Sequence, residues 1–174
     1  EDNELLVASQ GCTSAAEAKQ ILEDWCKRND CAVPFLQLFN MHREHSNSGI
    51  LIRDFALSPT LGKIAAELLG TDYVRVYQTS AFWKQAGNAE TSWHADLAAA
   101  PFDTNKMVTC WLALTDIPTD DYGPLEYASG SHRDVALPYW YTTKGMGDPS
   151  GDPREYDPAA HVPLAAGDST WHDG

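Results

Sequence analysis

Basic residues are scarce in this chain: 12 Lys and Arg stand against 25 Asp and Glu, a formal net charge of −13. Nucleic acids and anionic membrane surfaces need Lys/Arg-rich faces, so neither is an expected partner. Long apolar runs are missing as well. No stretch approaches the roughly 18 apolar residues needed to cross a bilayer. No signal-peptide pattern is present, and the chain begins at Glu1 without a Met, so an upstream segment is expected. Cysteine is limited to Cys12, Cys26, Cys31 and Cys110. None of these forms a Cys-x2-Cys pair, which disfavours a zinc site. Cys110 alternates within an apolar strand and reads as a small buried hydrophobe. Cys26 and Cys31 can pair only if the turn between them allows it. Reduced thiols in an intracellular, cytoplasmic protein are the expectation. Internal repeats and visible domain boundaries are absent.

What is present fits one globular domain. The length of 174 residues suffices for a substantial core. An apolar fraction of 43% and six Trp favour a folded chain over a disordered one. Ser14 to Lys27 reads as a helix, with Ser14 as cap, Glu17 at the capping-box position, and Ile21, Leu22 and Trp25 on one face. A second helix fits Ser58 to Leu69, capped by Ser58, opened by Pro59 and stopped by Gly70. After Gly70 the period changes. Tyr73 to Trp83 reads as one or two strands and Val108 to Ile117 as another, with shorter ones at Gly123–Ala128 and Val162–Ala165. Helices followed by short strands predict an α+β domain whose β part is a jelly roll. The stretch Thr142 to Ala160 is rich in Gly, Pro and Asp. A loop of that length is either functional or disordered. The acids of 116–121 and 148–157 read as solvated loops, with a secondary cation site as the alternative.

The chemistry centres on Trp93-His94-Ala95-Asp96. On an extended segment, side chains two apart share a face. One imidazole and one carboxylate on one face are two of the three ligands of a 2-His-1-carboxylate facial triad, which holds non-haem Fe(II) with positions left open. A capped turn with a surface His is the plain alternative. The motif follows Tyr77-Gln-Thr-Ser-Ala-Phe-Trp-Lys84 and precedes Val108-Thr-Cys-Trp-Leu-Ala-Leu114, both strand-like. Gly123-Pro-Leu125, Gly130-Ser-His-Arg133 and Ala166-Gly-Asp168 come after it.

This ordered set resembles the phytanoyl-CoA dioxygenase family of Fe(II)/2-oxoglutarate oxygenases. The resemblance runs from near Phe35 to Gly174 and is specific from Tyr77 onward. It implies a double-stranded β-helix (a cupin-like jelly roll) with N-terminal helices. That makes a single domain over 1–174, helical to about residue 70 and jelly roll from about 71. It implies Fe(II) as metal, 2-oxoglutarate as cosubstrate, and O2 and a small organic molecule as partners. His94 and Asp96 are the implied metal ligands, and no catalytic residue beyond the ligands is assigned. Related oxygenases that halogenate replace this acid with a small residue, so Asp96 implies oxygen insertion.

In the family, the strand after Gly-Asp carries two His residues, and the second is the ligand. His172 matches the first. The second would lie beyond Gly174, as would the Arg that pairs with 2-oxoglutarate, so the resemblance implies that the chain is truncated there. His172 is then a strand residue near the site, hydrogen-bonded or stacked beside Trp171, with metal ligation as the alternative. Trp111 matches a family Trp at the edge of the cosubstrate pocket; a core aromatic is the other reading. Gln78 is a candidate donor to 2-oxoglutarate or a satisfied core amide. Thr109 is a candidate hydrogen-bonding group inside the barrel. Lys84 stands at a strand end, near an acidic ligand or simply in solvent. The Gly-Ser-His-Arg motif, with His132 and Arg133, shapes a turn. His42, His45 and His161 lack a paired spacing and read as surface residues. Tyr139, Trp140 and Tyr141 are aromatics that either grip an apolar substrate or pack under the following loop.

The expected function is hydroxylation of a small organic substrate with release of succinate and CO2. A non-catalytic binding protein on the same jelly-roll scaffold is the competing reading. A cupin-type isomerase or hydrolase would want two or three His in its first motif, and one is found. No basic cluster for a CoA phosphate stands out.

Overall fold

Ser14 opens the first helix as its capping chemistry requires. Its side-chain oxygen accepts the Glu17 N–H at 3.2 Å, which satisfies one of the free donors of the first turn. Helix α1 runs Ala15–Arg28, with Lys27 and Arg28 in the last turn and Asn29 closing it. The computed structural model describes residues 14–91, 93–100, 102–133 and 158–174. Cys12, Tyr139, Trp140, Tyr141 and most of the stretch 142–160 lie outside them.

The chain divides into two compact units, residues 1–56 with 76–90 and residues 57–75 with 91–174. The first unit contains α1, strand β1 (Leu36–Phe39), helix α2 (Asn47–Ala56) and strand β2 (Ser80–Trp83). Strands β1 and β2 pair antiparallel, with Leu36 opposite Trp83. Helix α2 was not legible in the sequence: its start, Ser46-Asn47-Ser48-Gly49, carries the residue types of a loop. Ser46 nevertheless caps it, accepting the Gly49 N–H at 3.1 Å. The strand expected over Tyr73–Trp83 narrows to β2. His42, expected at the surface, is buried and bonds Thr79 Oγ1 through Nδ1 at 2.8 Å. A single imidazole without a partner motif gave no sign of that contact, which joins residues 37 apart.

The second unit opens with helix α3 (Pro59–Leu69). Ser58 accepts the Leu61 N–H, Pro59 takes the first turn, and Gly70 ends the helix in the left-handed region at φ 61°. That conformation is the one a helix stop needs and a side chain resists. Strands β3 (Val108–Leu112) and β6 (Ser169–Asp173) pair antiparallel, as do β4 (Glu126–Ala128) and β5 (Pro158–Ala160). Beyond β3, Ala113 and Ile117 are buried, and Ile117 bridges Leu164. That bridge replaces the strand expected over Val162–Ala165. The Gly-Ser-His-Arg segment forms a short 3-10 turn directly after β4. Asp116 and Asp168 hold the bend around Ala165 and Ala166, each accepting a backbone N–H at 2.8 Å.

The described residues therefore show mixed helix and sheet, with three two-stranded antiparallel ladders and no closed barrel. No helix among them is long and apolar enough to cross a membrane.

Candidate metal centre

All the residues that meet at the candidate site belong to the second unit. Trp93 to Ala95 are not part of a strand. Asp96 starts a 3-10 turn, Asp96–Ala99, preceded by Ala95 in extended conformation at φ −107°, ψ 130°. One extended residue between them is enough to turn His94 and Asp96 the same way. His94 Nε2 lies 3.1 Å from Asp96 Oδ1. The shared face expected for His-x-Asp is present without the expected strand.

The other Asp96 oxygen faces the β3–β6 ladder. Thr109 donates its hydroxyl to Oδ2 at 2.6 Å, and His172 Nε2 lies 3.3 Å from the same atom. Thr109 and His172 are directly opposite in the ladder. The turn that carries Asp96 comes close to the end of β6. A Cβ on Gly174 would lie 2.9 Å from Met107 Sδ and 3.0 Å from Leu97 Cγ.

His172 is held on its other side by Tyr127, whose ring centroid is 5.2 Å away at 52°. The Tyr127 hydroxyl meets Thr170 Oγ1 at 2.5 Å. Residues of alternate parity face opposite sides of a strand, so Thr170 and His172 share a face that Trp171 does not. The aromatic beside His172 is thus Tyr127, not the expected Trp171, whose indole N–H donates to Ser169 Oγ at 3.0 Å. The same alternation places Trp111 on the face of Thr109.

Three donors on one carboxylate have an electrostatic consequence. The His172 hydrogen bond, then the His94 bond, then that of Thr109, hold the Asp96 carboxyl well below the usual carboxylate range, against burial that raises it. Asp96 is therefore ionised, as a metal ligand must be. Burial pushes the Tyr127 phenol up, so it stays a neutral hydrogen-bonding group.

Imidazole, carboxylate and imidazole are the donor types that suit iron. His94 and Asp96 fit that role, since each presents a ligand atom to the other's side. Among the described residues, however, no group of three or more His, Cys, Asp or Glu is arranged to hold a metal ion. Both imidazoles engage Asp96 rather than one common point.

Of the remaining expected residues, Gln78 belongs to the first unit, is exposed, and donates its amide to Ser80 Oγ at 3.3 Å. Lys84, in the same unit, sits 4.3 Å from the centroid of the Phe35 ring. Tyr127 was missed by sequence reasoning. The signal available was a strand residue two positions after the family's Gly-x-Leu, which carries no chemistry until β4 is placed beside His172. A surface recess formed by α3 and residues 70–74 is lined by none of His94, Asp96, Thr109 or His172.

Comparison with curated proteins and with solved structures gives no match. The family model for phytanoyl-CoA dioxygenase matches residues 10–174. Its span covers the His94–Asp96 motif, both paired strands β3 and β6 and the turn after β4, and on it the chain belongs to the phytanoyl-CoA dioxygenase family.

Proposed function

We propose that the protein is an Fe(II)- and 2-oxoglutarate-dependent dioxygenase. It hydroxylates a small organic substrate, consuming O2 and releasing succinate and CO2. Its core is a single jelly-roll domain of the family type. The observation that carries the reading is the contact of His94 Nε2 with Asp96 Oδ1 beside an ionised, hydrogen-bonded carboxylate.

His94 and Asp96 would hold the iron. With 2-oxoglutarate bound, the metal supplies the oxidising power for C–H hydroxylation. The chain's own residues do the positioning. Thr109 holds one oxygen of the Asp96 carboxylate in place through its hydroxyl. Trp111, on the Thr109 face, forms a wall of the cosubstrate pocket. With iron bound, an aspartate at this position would fill the coordination place that a halide takes in related halogenating oxygenases, and oxygen insertion would be the outcome.

The test is an anaerobic titration with Fe(II) and 2-oxoglutarate, followed by the weak visible metal-to-ligand charge-transfer band. The band is expected in the wild-type protein and lost in Asp96→Ala. A variant with full iron affinity and full 2-oxoglutarate consumption would overturn the reading.

The second reading is a non-catalytic binding protein on the same scaffold. It is favoured by one observation, that both imidazoles engage Asp96 and no three-donor group is formed among the described residues. Absence of the band in the wild-type protein would select it.

A further inference from the structure

Helix α1 ends in a turn that brings two cysteines together. Its last residues are Cys26, Lys27 and Arg28, and Asn29, Asp30 and Cys31 follow. Asn29 closes the helix, and Asp30 lies in the left-handed region at φ 51°. The Cys31 N–H then donates to the Cys26 carbonyl at 3.0 Å. This is the long backbone bond of a Schellman stop, which folds the chain back onto the third-last residue of the helix. The side chains of those two positions commonly touch in such a stop. Here both positions are cysteine, and their thiols share a hydrogen bond.

The contact is not ordinary apolar packing. Cys26 is buried at 2% exposure, whereas Cys31 is exposed. An exposed thiol adds little as a small hydrophobe, but it can meet a reagent from solution, which Cys26 cannot. Burial, and then Cys31, push the Cys26 thiol up, so the neighbour it already touches is its accessible reaction partner. A disulfide needs a short Cα separation and converging Cβ directions. A turn that closes a backbone bond between the two residues and joins their thiols meets both demands. The two thiols are free in this structure.

We propose that Cys26 and Cys31 form a reversible disulfide site, oxidised by small disulfides of the glutathione class. The Cys31 thiolate attacks one sulfur of the small disulfide, forms a mixed disulfide and releases one thiol. Cys26 then attacks the Cys31 sulfur, breaks the mixed bond and releases the second thiol, its proton passing to the leaving sulfur. The protein dithiol loses two electrons and two protons, and the small disulfide takes up both as two thiols. The bond fixes the chain where it leaves α1. Just beyond, Val33 bridges Asn88, and its carbonyl accepts the Ala89 N–H at 2.8 Å. The site is independent of the proposed iron centre, and both cysteines belong to the first unit.

The experiment incubates the whole protein in glutathione buffers of rising oxidised fraction, traps free thiols with iodoacetamide and maps tryptic peptides by mass. Trypsin cuts after Lys27 and Arg28, so the bond links the peptide Gln20–Lys27 to Asn29–Arg43. That linked pair is expected in oxidised samples, lost with excess dithiothreitol and absent in Cys31→Ser. The linked fraction at one fixed buffer is expected to fall when the chain is unfolded in concentrated urea. Asp30→Val resists the left-handed region and is expected to lower the linked fraction by about fivefold. A Cys31 that stops at the glutathione adduct throughout the series, with Cys26 never joining it, would overturn the site. A bond from either residue to Cys12 or Cys110 in its place would do the same. Equal linked fractions in the folded and urea-unfolded chain, or no change in Asp30→Val, would show that the helix stop does not make the pair.

Discussion

Thr109 and His172 stand directly opposite each other on strands β3 and β6, and both side chains end on the same oxygen of Asp96, at 2.6 and 3.3 Å. The ladder thereby acts as a rigid base for a carboxylate that comes from a separate short turn. Sites built on paired strands hold geometry better than sites built on loops alone.

The first prediction concerns acid. In the metal-free protein Asp96 titrates well below its ordinary value of about 3.9. The folded state therefore binds fewer protons than the unfolded state as the pH falls through that range. The stability Asp96 contributes is fully present above it and is lost on acidification. Thermal midpoints measured from pH 6 down to pH 3 should fall more steeply for the wild type than for Asp96→Asn. Parallel curves would mean that the three hydrogen bonds do not persist in solution.

Tyr127 makes two separable contacts, a hydroxyl bond to Thr170 and a ring contact with His172. Tyr127→Phe removes only the first and should cost about 1 kcal/mol in urea unfolding. Tyr127→Ala removes both and should cost about 3 kcal/mol or more. Equal losses from the two variants would show that the ring contact contributes nothing.

Two glycines of one helix should respond oppositely to the same substitution. A Cβ at Gly62 or at Gly70 would meet nothing within 4 Å, so only the backbone decides. Gly62 lies inside α3, where Ala is preferred, and Gly62→Ala should stabilise by up to ~1 kcal/mol. Gly70 has φ 61°, and Gly70→Ala should destabilise by ~1 kcal/mol or more. Chemical denaturation of both variants decides it, and a shared sign would contradict the position assigned to the helix end.

Cys31 is exposed and Cys26 is buried at 2% exposure. Burial, followed by the hydrogen bond and charge of Cys31, pushes the Cys26 thiol up and disfavours its reactive thiolate. Iodoacetamide at pH 8 should therefore label Cys31 well before Cys26, as read by peptide mass mapping. The turn expected to decide their proximity does close, with the Cys31 N–H donating to the Cys26 carbonyl at 3.0 Å. Comparable labelling rates would show that the end of α1 opens readily.

Features governed by neighbours in the chain were legible in the sequence. Ser14, Ser58, Pro59 and Gly70 marked the helix ends correctly because caps and stops are made within one turn. His94 and Asp96 could be paired because one intervening residue sets their relative direction. Helix α2 escaped because its first residues favour loops in isolation, and packing overrode that preference.

The ordered motifs of the sequence determined the family and paired a His with the Asp that it contacts. Only the tertiary structure decided what surrounds them. Thr109 and His172 are 63 positions apart, since 172 − 109 = 63, and nothing local to either strand states that they face each other. Register decides it. A slip of one residue between β3 and β6 would send one partner's side chain to the opposite face and leave Asp96 Oδ2 with a single donor. That choice is made by the summed burial of both strands and their neighbours, a quantity no short window of sequence contains.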